Sequence, residues 1–285
     1  MRIPFLFFAI AMLFIMGCNG DWMDYSPADM YSASIDYDDA DAPLRLDVAA
    51  VTIASDKDNK SAVLADMQSM TEQIMLEHPE VDVIEFGELI LGWYYDSDSE
   101  EAYQRAVSEP IPGSSFYVLQ ELAISHQINL VYGAAEVDTV TNKIYNSQVL
   151  IKKTGDYVVY RKRNLNDLDI ANGFSAGSEF VSTTIDGVNV AMFICSDMQS
   201  NQITEEMADA DVDVILQSVT STTDMSADIS YVGMQMNKWI VFANRFGTEG
   251  DFNYTGFSHI INPAGTITDR VMGENVYVFR SFGIY

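Results

Sequence analysis

The stretch VAMFICSDM, from Val190 to Met198, runs through five apolar residues and turns polar immediately after Cys195. An uninterrupted apolar run of this length, bounded by polar residues, is typical of a strand that is buried on both faces. Ligands gather at the carboxyl ends of strands in α/β sheets. The stretch therefore predicts a buried strand that ends on a cysteine at a position suited to chemistry.

Two further strand-like segments end on reactive side chains. Glu88 follows the segment VDVIEF, and Lys162 follows the segment VVYR. A carboxylate can take and return a thiol proton, and an ammonium lowers the pKa of a nearby thiol. Each of the three residues taken alone has a structural explanation, as a solvated charge or a packed thiol. If their strand ends meet, we expect Lys162 to favour the thiolate of Cys195 and Glu88 to act as its base.

The rest of the chain from Leu44 onward alternates between strand patterns and helix patterns. Val63, Met67, Met70 and Ile74 recur at the spacing of an amphipathic helix, and the apolar runs of the strand segments favour burial on both faces. A turn at Pro263-Ala264-Gly265 predicts a final hairpin. This alternation predicts a layered α/β domain.

Residues 45–280 resemble the nitrilase, or carbon-nitrogen hydrolase, superfamily. The segments that carry the resemblance are VDVIEFGELILGW, YNSQVLIKKTGDYVVYRKRNL, VAMFICSDM, WIVFANRFG and GFSHIINPAG. The chain departs from the family pattern at Gly87, where proline is usual, and at Ser196, where amidase branches commonly have an aromatic residue.

The resemblance implies a four-layer α-β-β-α sandwich and a Glu-Lys-Cys triad formed by Glu88, Lys162 and Cys195. It also implies an oxyanion donor at the backbone N–H of Ser196. Asp169 lies where some branches have a second glutamate, and whether it is equivalent is left open. The resemblance implies pairing through the outer helices, so a homodimer is an open alternative.

No metal and no cofactor are expected. The three histidines, His78, His126 and His259, are scattered without metal-ligand spacing, and the sequence has no glycine loop that would cradle a phosphate.

The N-terminus reads as an export signal: Arg2 precedes an apolar run, and Gly17 precedes Cys18. The run Ile15-Met16-Gly17-Cys18 resembles the lipobox of bacterial lipoproteins, which implies acylation of Cys18 and attachment to a membrane through lipid. Under that reading, Asn19 favours the outer membrane. An ordinary signal peptide that ends in cysteine is the alternative. Because the chain has only two cysteines, lipidation of Cys18 would leave Cys195 without a disulfide partner.

The expected organisation is a lipoprotein signal peptide at residues 1–17, the acylated cysteine with a flexible acidic tether at 18–43, and the catalytic domain at 44–285. The chain contains 42 Asp and Glu against 15 Lys and Arg, a formal charge of -27 at pH 7. Such acidity argues against binding nucleic acid through a basic surface.

We expect a lipid-anchored hydrolase of the cell envelope that cleaves a linear amide C–N bond of a small molecule. Two alternatives remain open: an N-acyltransferase of the same superfamily, and a catalytically silent binding protein that has kept the fold.

Overall fold

The structure is a computed structural model, and it describes residues 42–56, 58–92 and 100–285. The predicted signal peptide, Cys18 and all but the last two residues of the tether lie outside the described residues. Within the described ranges, no helix is both long enough and apolar enough to cross a membrane.

The described residues form fourteen strands and six α-helices, together with a short 3-10 helix at Cys195–Gln199. The strands are β1 (Leu44–Thr52), β2 (Val83–Phe86), β3 (Asn129–Val137), β4 (Ile144–Ile151), β5 (Tyr157–Arg161), β6 (Ser182–Ile185), β7 (Val188–Ile194), β8 (Val214–Val219), β9 (Trp239–Asn244), β10 (Phe246–Glu249), β11 (Phe252–Thr255), β12 (Ser258–Ile261), β13 (Ile267–Val271) and β14 (Val276–Ile284). The helices are α1 (Lys60–Glu77), α2 (Glu100–Val107), α3 (Ser114–His126), α4 (Asp167–Ala171), α5 (Asn201–Asp209) and α6 (Ser226–Met236).

Two six-stranded mixed sheets form the centre of the domain. The first has the strand order β14-β1-β2-β3-β4-β5, and the second has the order β13-β12-β9-β8-β7-β6. In the first sheet β1, β2 and β3 are parallel, and in the second β7, β8 and β9 are parallel; the outer strands of both sheets pair antiparallel. The parallel strands of each sheet thus lie in its interior, where both faces can be covered. Strands β10 and β11 form a separate two-stranded ribbon.

Apolar side chains from both sheets meet in one core between them. Alternate residues of each strand point to opposite faces, so one set of every strand enters this inter-sheet core. From β7 these are Val190, Met192 and Ile194, and they pack with residues of the first sheet such as Val48 and Val131.

The other face of each sheet is covered by two helices. Helices α1 and α3 pack on the first sheet through residues such as Met67 and Leu119. Helices α5 and α6 pack on the second sheet through residues such as Met207 and Ile229. The order of layers is therefore helix, sheet, sheet, helix, which confirms the predicted four-layer α-β-β-α sandwich.

Strand β14 is absent from the sequence-based prediction, which ended at the hairpin around Gly265. It pairs with β1 along its whole length, from Leu44 opposite Ile284 to Thr52 opposite Val276. The strand also contributes to the inter-sheet core, because the ring of Phe282 stacks on that of Trp239 with their centroids 4.1 Å apart. The sequence of β14 mixes apolar and polar residues without a clear alternation, because the strand is only partly buried, and it therefore gives no strong strand pattern.

The Phe282→Ala variant tests the contribution of this strand to stability. Phe282 is fully buried, so we expect the free energy of unfolding to fall by about 3–5 kcal/mol through lost burial and a residual cavity. Urea denaturation measures the change. The control is Leu76→Ala on the exposed face of α1, where the side chain is 83% exposed and the expected change is within about 0.5 kcal/mol. Equal effects of the two substitutions would contradict the assigned packing.

Candidate active site

The three predicted reactive residues each follow the end of a strand. Glu88 lies two residues after β2, Lys162 directly follows β5, and Cys195 directly follows β7. The first two belong to loops of the first sheet and Cys195 to a loop of the second. The charges of Glu88 and Lys162 both act on the pKa of the Cys195 thiol. The structure therefore brings all three residues to one end of the sandwich.

Lys162 is the centre of a fully buried charge cluster. Its Nζ lies 2.7 Å from Oε1 of Glu88 and 2.7 Å from Oδ2 of Asp169, and all three side chains are 0% exposed. The amide Nδ2 of Asn146 donates to Oε1 of Glu88 at 2.8 Å and to Oδ1 of Asp169 at 3.1 Å. The ammonium and the amide together fix the positions of both carboxylates.

The first turn of α4 determines where the Asp169 carboxylate points. The side chain of Asn166 accepts from the backbone N–H of Asp169 at 2.9 Å, and Oδ2 of Asp169 accepts from the backbone N–H of Asn166 at 3.0 Å. This reciprocal pair is a capping box, which satisfies donors that a helix start leaves open. The sequence left the role of Asp169 open, and the structure places its carboxylate on Lys162.

Cys195 occupies a left-handed backbone conformation, with φ of 40°. This region costs a residue with a side chain roughly 1–2 kcal/mol. The strain is held by Asp197, whose Oδ2 accepts from the backbone N–H of Ile194 at 3.0 Å and from the hydroxyl of Tyr160 at 2.8 Å. The turn that presents the sulfur is thus braced from both sheets.

The loops of Cys195 and Lys162 are tied together by hydrogen bonds. Oδ1 of Asp197 accepts from the backbone N–H groups of Arg163 at 3.1 Å and Asn164 at 2.7 Å. Ser196 donates through Oγ to the carbonyl of Asn164 at 2.7 Å, and Nδ2 of Asn164 donates to the carbonyl of Ser196 at 2.6 Å. The predicted oxyanion position at Ser196 is therefore rigidly linked to the lysine loop.

The Glu88 turn is held between the two sheets. Its backbone N–H donates to the carbonyl of Val219 at 3.3 Å, and the hydroxyl of Thr220 donates to the carbonyl of Glu88 at 3.2 Å. Gly133 on β3 allows this approach, because a Cβ there would lie 2.3 Å from the backbone N of Leu89 and 2.7 Å from Cα of Glu88. The close backbone contact explains why β3 has glycine at this point.

Arg245 is buried beneath the same turn. Its Nη1 donates to the carbonyl of Leu89 at 2.9 Å and to that of Glu88 at 3.4 Å, and its guanidinium forms an ion pair with Glu249. Gly87 packs on the backbone of Arg245, where a Cβ would lie 2.9 Å from the arginine N. The departure from proline at this position thus accompanies a close contact between the two loops.

The protonation of Cys195 differs from the sequence-based expectation. Burial raises the pKa of the thiol, and the charges of Glu88 and Asp169 raise it further. The charge of Lys162 and a hydrogen bond from the backbone N–H of Thr220 lower the pKa, but they do not offset the other effects. The charge of Lys162 does favour the thiolate, as expected, but burial, the largest effect, together with the two carboxylates outweighs it, so that the pKa of the thiol is raised.

Sequence reasoning assigned no role to Asn146, Asn164, Asp197 or Arg245. All four lie inside the segments that carry the family resemblance, and this position was the only available signal. Within residues 42–56, 58–92 and 100–285, no group of three or more His, Cys, Asp and Glu side chains has the arrangement of a metal site.

Comparisons with known proteins place the chain in a family. The carbon-nitrogen hydrolase family matches residues 47–275. A probable nitrilase of Schizosaccharomyces pombe is 26% identical over 230 residues, which cover 79% of this chain and 83% of the relative. Omega-amidase NIT3 of Saccharomyces cerevisiae is 31% identical over 165 residues, which cover 54% of this chain and 56% of the relative.

A solved structure has the same fold. It is a mutant of the amidase from Nesterenkonia sp. AN1, which carries the acetamide moiety of fluoroacetamide covalently at its active-site cysteine. The two structures superpose with a TM-score of 0.73 at 14% identity, over 84% of this chain and 90% of the amidase. The family match spans most of the chain and includes Glu88, Lys162 and Cys195. The chain therefore belongs to the carbon-nitrogen hydrolase family of enzymes.

Proposed function

We propose that the protein is a lipid-anchored hydrolase of small linear amides that acts through a thioester on Cys195. The observation that carries the catalytic part is the buried cluster in which Lys162 bonds both Glu88 and Asp169 beside the cysteine. Buried charges are costly unless they are paired, and such clusters concentrate at functional sites.

In the first half of the reaction, the thiol of Cys195 gives its proton to the Glu88 carboxylate as sulfur attacks the amide carbonyl. Because burial and the nearby carboxylates raise the pKa of the thiol, this transfer accompanies the attack. The tetrahedral intermediate then collapses as protonated Glu88 delivers the proton to the departing nitrogen. The C–N bond breaks, ammonia or an amine leaves, and the acyl group remains on sulfur as a thioester.

The negative oxygen of the intermediate is stabilised by the ammonium of Lys162 and the backbone N–H of Ser196. Donors that are already in place at a developing oxyanion contribute about 3–4 kcal/mol each where they have been removed by mutation. Two hydrogen bonds between Ser196 and Asn164 connect the turn that carries the Ser196 N–H to the loop that carries Lys162.

In the second half, water attacks the thioester while Glu88 accepts a proton from it. The C–S bond breaks, the carboxylic acid leaves, and Glu88 returns the proton to sulfur. The sum is an amide and water converted to an acid and an amine, with no oxidant, reductant or cofactor consumed.

Two observations favour hydrolysis by an active enzyme over the alternatives. A silent binding protein would not need a strained cysteine, and the strain at Cys195 is maintained by four hydrogen bonds to Asp197. The similarity to an omega-amidase and to an amidase with a covalently modified cysteine supports an amide substrate. Transfer of the acyl group to an amine instead of water would use the same thioester.

The Cys195→Ala variant tests the catalytic proposal. Across a panel of small primary amides, we expect ammonia release to fall by about 10³-fold or more, because no other group can form the acyl intermediate. The control Ser69→Ala changes an exposed hydroxyl on α1, which covers the outer face of the first sheet, and should keep the wild-type rate. Full activity of Cys195→Ala on every amide that the wild type accepts would rule the mechanism out.

The pH dependence of alkylation tests the raised pKa of the thiol. An unperturbed thiol has a pKa of about 8.5 and reacts with iodoacetamide increasingly as pH passes that value. Because the pKa of Cys195 is raised, its alkylation in the folded protein should lag behind that of the unfolded chain at pH 8 and still be rising at pH 10. Peptide mass spectrometry measures both rates. A plateau below pH 8 would indicate a preformed thiolate.

The membrane attachment rests on the sequence around Cys18. The apolar run, Gly17 and Cys18 have the order of a lipobox, and acyl chains contribute about 0.8 kcal/mol per buried methylene to membrane binding. We propose that lipid on Cys18 holds the domain at the cell envelope, with residues after Cys18 as its tether.

The Cys18→Ala variant tests this attachment. In a bacterial host fed an alkyne fatty acid, we expect the wild type to be labelled and to sediment with membranes, and Cys18→Ala to lose both properties. Cys195→Ala is the matched control, since the chain has only these two cysteines, and it should keep the label. Labelling that persists in Cys18→Ala would contradict the lipoprotein proposal.

A further inference from the structure

The cations around Cys195 are already neutralised by carboxylates of the protein. Lys162 bonds Glu88 and Asp169, and Arg245 pairs with Glu249. Arg163 follows Lys162 in the chain, and its Nη1 lies 2.5 Å from Oε2 of Glu206. Each cation near the nucleophile is therefore engaged before a substrate arrives.

Carboxyl groups outnumber the cations at this end of the sandwich. Asp197 adds another carboxyl, which accepts four hydrogen bonds from neutral donors. In the described surroundings of Cys195, Lys162 is the cation whose charge acts on the thiol.

Tyr254 is a buried, uncharged polar residue near Glu88 and Cys195. Its side chain is 2% exposed, its ring centroid lies 5.5 Å from the Arg245 guanidinium, and among the described residues its hydroxyl has no hydrogen-bond partner. Burial, with the charges of Glu88 and Cys195, raises the pKa of Tyr254 to about 12. The hydroxyl thus stays neutral and can bond an uncharged polar group.

We infer that the site accepts amides whose acyl part is uncharged or carries an amine and rejects amides with a carboxylate near the scissile bond, and that Glu249 sets this selection. The inference rests on the proposed amide hydrolysis. A carboxylate entering the site would lose its water without gaining a cation and would be repelled by Glu88 and Asp169. Glu249 matters because it neutralises Arg245, which contacts the backbone of the Glu88 turn.

Alkylation of Cys195 tests the charge selection without requiring turnover. Iodoacetamide and iodoacetate form the same bond to sulfur but differ by one negative charge. In the full chain at low salt, we expect the ratio of the two rates at Cys195 to exceed by at least tenfold the ratio for the same peptide in the unfolded chain. Added salt should narrow the difference. An equal or smaller ratio in the folded protein would overturn the inference.

Turnover of a matched pair of substrates provides the second measurement. Succinamide and succinamate have nearly the same shape and differ by one charge. We expect kcat/KM for succinamide to be at least tenfold higher. Faster hydrolysis of succinamate would overturn the charge selection while leaving the proposed function intact. If Cys195→Ala removed no activity toward either compound, the proposed function would fail instead.

The Glu249→Gln variant identifies the residue that sets the selection. The substitution leaves the charge of Arg245 without the charge of Glu249 beside it. We therefore expect the ratio of the iodoacetamide rate to the iodoacetate rate at Cys195 to fall by about fivefold or more. Asp186→Asn is the matched control, since Asp186 pairs with Lys153 on the surface and its loss changes the net charge of the protein by the same amount. Equal effects of the two variants would show that the total charge of the protein, and not Glu249, is responsible. Wild-type salt dependence decides the inference even if Glu249→Gln fails to fold.

Discussion

The ion pairs of Lys162 with Glu88 and Asp169 hold the site together. All three groups are excluded from water, and removing one partner from such a buried set typically costs about 3–5 kcal/mol because a charge is left uncompensated. The lysine follows β5, Glu88 follows β2, and Asp169 lies in α4, so the ammonium can be satisfied only when these elements have taken their final positions. Asn146 on β4 adds a neutral donor to both carboxylates. Folding and assembly of the reactive centre are therefore coupled.

A second set of contacts connects this cluster to the other sheet. Asp197 bonds the strained turn at Cys195 and the two residues that follow Lys162, while Thr220 and Val219 bond the Glu88 turn. Cys195 and Glu88, the proposed nucleophile and base, follow strands of different sheets, and their relative position depends on the inter-sheet core remaining packed. This dependence explains why a left-handed conformation at Cys195 can persist despite its cost.

The electrostatics of the site follow from the same cluster. Burial has the largest effect on the pKa of the Cys195 thiol and raises it. The charge of Lys162 lowers this pKa, while the charges of Glu88 and Asp169, which bond Lys162, raise it. A thiol whose pKa is raised needs a base at the moment of attack, which is the role proposed for Glu88. The excess of carboxylates around Lys162 makes the surroundings of Cys195 unfavourable for anions, in keeping with the excess of acidic residues in the whole chain.

The sequence by itself determined the layered α/β architecture, since the alternation of buried strands with amphipathic helices leaves few other ways to cover apolar faces. It also identified Glu88, Lys162 and Cys195 as residues at strand ends. The sequence did not predict strands β6 and β14 or the ribbon of β10 and β11. These strands are short or only partly buried, and their apolar residues show little periodicity. Only the tertiary structure decided that Asp169 contacts Lys162, that Asp197 holds the turn at Cys195, and that burial raises the pKa of the thiol. These properties depend on burial and on contacts between residues far apart in the chain, and a desolvation cost is not encoded in the local spacing of side chains.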